Sequence, residues 1–186
     1  MTGLSASGKA FVLIAVAVAT VASPLAARAA SKEELDREGA RVLKILYQKN
    51  ATARLLGTKA RAVLVFPRIV KAGFMFGGQI GEGVLFESGR PVAYYNSVAA
   101  SYGFQAGVQV FGYALFFMNE GALSYLSKSD GWEVGVGPSI VVVDEGMGKS
   151  LTSTTITHDV YAFIFDQKGL MGGIGVQGSK ITKISK

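Results

Sequence analysis

The sequence predicts an α+β domain in which N-terminal helices pack on a strongly curved, mainly antiparallel, Gly-rich β-sheet, barrel-like in its curl. Three observations carry this. Residues 31 to 57 show helical spacing of apolar side chains, and from Arg61 onward the chain breaks into short apolar runs rich in Val, Ile, Phe, Tyr and Gly. Glycines also recur on one face of several of those runs. A length of 186 residues favours one domain with a core of useful size.

The first 29 residues read as a cleaved export signal. Lys9 supplies a positive start, Ala10 to Ala22 is uncharged and mostly apolar, and Pro24 precedes the small-residue site Ala27-Arg28-Ala29. A spanning helix needs about 20 apolar residues, and this run stops at Ser23-Pro24. Cleavage before Ala30 would leave residues 30–186 as a single domain with 17 basic and 13 acidic residues. That mild positive balance suits an anionic surface but not a nucleic-acid binder, which needs dense Lys/Arg clustering. With no cysteine, disulfide staples, thiol catalysis, thiolate metal sites and a lipidated N-terminal cysteine are all excluded.

The first helix begins at Ser31, which with Glu34 forms an S-x-x-E capping box; Leu35, Val42, Ile45 and Leu46 form its apolar stripe. The opposite face mixes both signs, which suits solvent better than a basic membrane-binding face. A second helix, about Asn50 to Leu56, is expected to stop at Gly57. The β-rich body then spans about 61–186, punctuated by the turns "ESGRP" (87 to 91), "SDGW" (129 to 132), "DEGMGK" (144 to 149) and "DQKG" (166 to 169). A short helix from Asn119 interrupts it, with Ala122, Leu123 and Leu126 at helical spacing.

Strand phasing puts Phe74, Phe76 and Ile80 opposite Gly73 and Gly77. It puts Phe104, Val108 and Val110 opposite Gly103, Gln105, Gly107 and Gln109, and Val134, Val136, Ile140 and Val142 opposite Gly135 and Gly137. Glycine weakens a strand, so its recurrence on one face implies sharp coiling or close packing against the backbone, by the N-terminal helices before a ligand. The phenylalanines, including Phe74 and Phe76, read as core. "FGYALFFM" (111 to 118) is apolar on both faces, so it is either wholly buried or offers one face to an apolar ligand.

Several motifs mimic chemistry. Gly173, Gly175 and Gly178 spell G-x-G-x-x-G, but only eight residues follow, leaving no room for the helix and distant acid that a dinucleotide site needs. The run reads instead as a closing strand, with Gly178 near a turn or bulge. "VDEGMGKS" mimics a phosphate loop but has Val143 where glycine is required, and β-prone residues follow. His158 and Asp159 are sequence neighbours, which point to opposite faces of a strand, so no catalytic pair is expected. Asp144 and Glu145 fit turn chemistry better than a cation site, and neither a metal nor a cofactor is expected.

The blocks "AVLVFPRIVKAGFMFGGQIGEGVLF", "ASYGFQAGVQVFGYALFFMNEGAL", "GWEVGVGPSIVVVDEG" and "DVYAFIFDQKGLMGGIGVQGSKI", in this order, resemble the SYLF domain family, specifically its bacterial exported members. The likeness extends over about Arg61 to Ile184. It implies a non-enzymatic lipid-binding module; eukaryotic relatives are associated with phosphoinositide membranes and some with actin filaments. For this chain the expectation is an acidic or single-chain lipid or membrane surface in the periplasm or outer cell envelope, peripheral to the membrane. Arg68, Lys71 and Lys168 are expected at head groups, and Phe111, Tyr113 and Phe117 at apolar contacts. The alternative is a structural component whose sheet face docks an envelope protein.

Overall fold

The computed structural model describes residues 29–128, 131–133, 137–143 and 156–186. Residues 1–28, which hold all but the last residue of the expected export signal (1–29), the start of the "SDGW" turn, Val134 to Val136, and the whole of 144 to 155 with its phosphate-loop mimic and its Asp144/Glu145 pair lie outside the described residues. The elements are α1 (Lys32–Lys49), α2 (Ala51–Lys59), β1 (Ala62–Glu87), β2 (Arg90–Phe117), α3 (Glu120–Ser127), β3 (Trp132–Glu133), β4 (Ile140–Val142) and β5 (Val160–Ile184). This is the α+β fold expected, with helices against a curled, mainly antiparallel sheet.

Each helix starts where a capping side chain meets an orphan amide. Ser31 accepts from the Glu34 N–H at 3.2 Å, Asn50 from Ala53 at 2.9 Å, and Asn119 from Ala122 at 2.9 Å. The second helix runs past Gly57 to Lys59. Gly57 is not a stop: a Cβ there would lie 2.5 Å from the Tyr47 hydroxyl oxygen, so the glycine makes room for that ring.

Three strands of 26, 28 and 25 residues make the sheet, in the order β1-β2-β5. β1 and β2 are joined at Ser88-Gly89, both at positive φ (48° and 78°), the type I′ geometry that matches strand twist. Short β3 pairs with the end of β5 antiparallel, and β4 pairs with its start in parallel. "DQKG" is not a turn. It is a bulge in β5, where two residues, Asp166 and Gln167, face the single Phe111 and the strand continues to Ile184. Gly178 likewise sits within the strand, paired with Ala100.

These strands are far longer than the usual five or six residues because each belongs to two limbs of one bent sheet. β1 doubles back at Met75, which has φ 60° and faces three residues of β2, Gly103 to Gln105, as an irregularity between Phe74 and Phe76. The bend explains the glycine face. A Cβ on Gly73 would lie 2.5 Å from the Gly77 Cα; one on Gly81 would lie 2.7 Å from Ile69 Cγ1, and one on Gly83 would lie 2.6 Å from Phe66 Cδ1. What approaches this inner face is the other limb of the same strand, not the helices.

Two hydrophobic clusters follow. The inner face packs Leu64, Phe66, Ile69 and Leu115 from one limb against Leu85, Tyr95 and Ile181 from the other, closed by Leu126 of α3 and Trp132. On the outer face Leu35, Val42 and Leu46 of α1 and Leu56 of α2 cover Val63, Val65, Val84, Phe86 and Phe116. The Tyr94 hydroxyl pins α1 to β2 by donating to Asp36 at 2.8 Å.

Candidate functional site

The expected basic residues arise from strand irregularities. Arg68 is exposed in the bulge between Phe66 and Ile69. Lys168 follows the β5 bulge and is exposed on the outer face, in a row with Val110 and Val70. Strand spacing of about 4.8 Å puts Arg68 and Lys168 two strands apart in one band. Lys71 belongs to the next row, half-buried, and alternation turns it to the inner face. The fold therefore joins Arg68 to Lys168 and separates Lys71 from both.

The expected apolar contacts are packing residues. Phe111 and Phe117 are buried, Phe117 with its ring centroid 5.8 Å from that of Trp132. Tyr113 packs against the inner cluster, stacked on Phe66 at 6.2 Å, and burial pushes its hydroxyl up to about 12. The run from Phe111 to Phe117 is apolar on both faces because both are covered, one by the inner core and one by the helices. None of the three presents a surface to a membrane.

The exposed apolar surface lies further along the strands, past the reach of the helices. Phe74 (75%), Phe76 (70%), Tyr102 (61%), Val108 (56%) and Leu170 (88%) stand out from the bend. Register places Val108 beside both Ala72 and Leu170, and Phe76 beside Tyr102, their rings 5.0 Å apart. Phe74 and Phe76, read as core from their phase, are among the most exposed side chains. The missed signal was polarity on the opposite face: Gln109, Ser97 and Ser101 alternate with glycines, so the inner side toward the bend is small and polar.

Other candidate chemistry resolves into structure. The G-x-G-x-x-G lies wholly within β5, with Gly173 opposite Gln105 and Gly175 opposite Gly103, so no helix N-terminus forms there. His158 is exposed, its ring 5.9 Å from Tyr161. Asp159 is a structural tie. Its carboxylate accepts from the Ser139 N–H and hydroxyl, both at 2.9 Å, and from Asn119 at 2.8 Å, joining β5, the approach to β4 and the cap of α3. Those donors hold the carboxyl below its ordinary range, the Ser139 amide contributing most. The stability this gives is present above the ordinary carboxylate value of 3.8 and is lost as pH falls through the lower folded value. Asp159→Ala is expected to cost about 1–2 kcal/mol at pH 7, the worth of charge-assisted hydrogen bonds reduced by solvent, and less at pH 2. Urea midpoints at the two pH values check it.

A shallow groove of about 430 Å³ runs between α1, α2 and the β1-β2 turn, lined by Leu43, Lys44, Tyr47, Arg54 and Phe86 among others. Among the described residues no cluster of three or more His, Asp or Glu side chains could hold a metal, and no helix is long and apolar enough to cross a membrane.

A family model described as "Las17-binding protein actin regulator", Ysc84, matches residues 98–186. These residues belong to the SYLF domain family. No curated protein matches the chain. The SYLF match opens at Val98 in β2, yet β1 pairs with β2 from Ala62↔Phe117 to Glu87↔Arg90, so the matched segment and the strand before it share one sheet. The SYLF family is associated with lipid binding and protein interaction, and it is not a known enzyme family.

Proposed function

We propose that this chain is a non-enzymatic lipid-binding protein of the cell envelope, exported by its first 29 residues, peripheral to the membrane, and directed to acidic lipids. The observation that carries the reading is the exposed apolar stretch of sheet bordered by Lys168 and Arg68, in a chain whose C-terminal half is a SYLF segment. An apolar surface of this kind marks an interaction site, and bases at its border favour an anionic partner. Arg68 and Lys168 take the head-group role, and Lys71, turned to the inner face, does not share it.

The test is sedimentation with vesicles of phosphatidylglycerol and phosphatidylethanolamine. At about 1 kcal/mol for each base near an anionic surface, Arg68→Glu with Lys168→Glu is expected to lower binding roughly tenfold or more while circular dichroism stays unchanged. Unchanged binding would defeat the head-group assignment. The same apolar surface favours a second reading, docking of an envelope protein. Salt separates the two, because head-group attraction weakens as ionic strength rises and an apolar protein interface persists.

A further inference from the structure

Resting on the lipid-binding reading, we infer that the bend of the sheet is a bilayer-inserting wedge. Phe74, Phe76, Tyr102, Val108 and Leu170 enter an anionic membrane surface with Lys168 at head-group level, instead of the sheet enclosing one lipid in a pocket.

Four observations lead here. The first is size. At 150–250 Å² per aromatic side chain, the exposed fractions of Phe74, Phe76 and Tyr102 present about 400 Å² of ring surface, and Val108 and Leu170 enlarge the patch beyond what a soluble monomer ordinarily leaves in water. The second is inverted polarity: at the bend the outer face is apolar, and the inner face carries glycine, serine and glutamine. This distribution suits a sheet whose outer surroundings are less polar than its interior. The third is charge. From Ile69 to Gly81, Ser97 to Gln109 and Gln167 to Ile181, the three strands carry Lys71, Lys168 and Lys180 and no acidic residue. Lys180 has Glu133 as its cross-strand neighbour and Lys71 faces inward, so Lys168 is the principal head-group base.

The fourth is depth. Lys168 stands two residues from Leu170 along β5, about 7 Å at strand rise, within the roughly 5–10 Å to which interfacial elements sink. Its stem can lie along the apolar surface while the ammonium stays among the head groups. Through the bend β2 is hydrogen-bonded on both edges, but β1 and β5 each keep an edge unpaired among the described residues there. Open edges are not tolerated in hydrocarbon, so the wedge rests at the interface and does not span. A second copy fits this face less well, because a two-fold pairing would bring lysines together with no acid in the bend to receive them.

The chain has no cysteine, so Phe76→Cys and Leu170→Cys each carry one environment-sensitive fluorophore, with Ser88→Cys at the hairpin turn as the remote control. The protein is the form recovered from cells producing the full chain, and the probes are phosphatidylglycerol/phosphatidylethanolamine and phosphatidylcholine vesicles. Labels at 76 and 170 are expected to shift to the blue and become at least tenfold less accessible to iodide on the anionic vesicles, while the label at 88 is unchanged. Phe74→Ser with Phe76→Ser, both outside the core, is expected to weaken partition at least tenfold and to abolish the shift at 170. If the unsubstituted protein partitions but labels 76 and 170 remain aqueous, or the double variant partitions normally, the wedge is overturned and lipid binding stands. If it partitions into neither vesicle, both readings fall. Concentration-dependent protection of 76 without vesicles would overturn the wedge in favour of a second copy.

Discussion

Gly107→Ala is expected to lower the melting temperature by roughly 10 °C, a loss of about 3–4 kcal/mol for a chain of this size. Two costs add. Gly107 has φ 140°, where an L side chain is strained by about 1–3 kcal/mol. Its added Cβ would also collide with the Leu170 carbonyl oxygen and lie 2.9 Å from the Met171 Cα. Both are backbone atoms of β5, so no rotamer change relieves the contact, and overpacking adds a further 1–3 kcal/mol or so. Two other glycines serve as controls. Gly89, at φ 78° with nothing within 4 Å of the added carbon, should show the conformational cost alone, about 1–2 kcal/mol. Gly178, with nothing within 4 Å and no positive φ, should tolerate alanine without loss. Calorimetry on the three variants checks the ordering, and equal losses would mean that the bend is not closely packed.

Trp132→Ala is expected to cost about 3–5 kcal/mol, the range for deleting a large aromatic from a core that cannot collapse. Trp132 is 1% exposed although it lies in a strand of two residues, and its ring meets Phe117 at 5.8 Å beneath α3. It closes the inner face where β3 is hydrogen-bonded to only one short stretch of β5. Trp132→Phe should retain most of the contact and cost less than half as much. Since Trp132 is the only tryptophan, denaturation of both variants is followed by circular dichroism; a midpoint shift of the alanine variant under 1 kcal/mol would show that the cluster closes without it.

Helix starts were readable from the chain because capping is local chemistry: Ser31, Asn50 and Asn119 each satisfy an amide three residues on. The Ser88-Gly89 hairpin was readable for the same reason. Strand length was not. Asp166 to Gly169 have turn composition, but a bulge uses the same positive φ values, 50° at Asp166 and 89° at Gly169, and only pairing with β2 distinguishes the two. Phase showed which residues share a face, not which face meets water. Phe74 and Phe111 look alike in sequence, yet one stands at the bend and the other faces the opposite limb. For the candidate site, Lys168 and Arg68 could be named as bases near strand ends, whereas their meeting in one band depends on long-range register.

Glu82 has a consequence for how this fold is connected. Its carboxylate takes the Ala30 N–H at 3.1 Å and both oxygens take the Lys186 ammonium at 2.9 Å, while that ammonium also donates to the Ala30 carbonyl at 2.8 Å. Ala30 and Lys186 are thus stitched to one side chain, and the polypeptide path between them is nearly a closed ring. On such a ring the choice of where the chain is cut is separable from the architecture. A version joined through Lys186 and Ala30 and opened at Ser88-Gly89 would preserve every strand pairing while turning the β1-β2 hairpin, the most local contact in the sheet, into one of the most distant, a change that falls on the speed of folding rather than on the folded form.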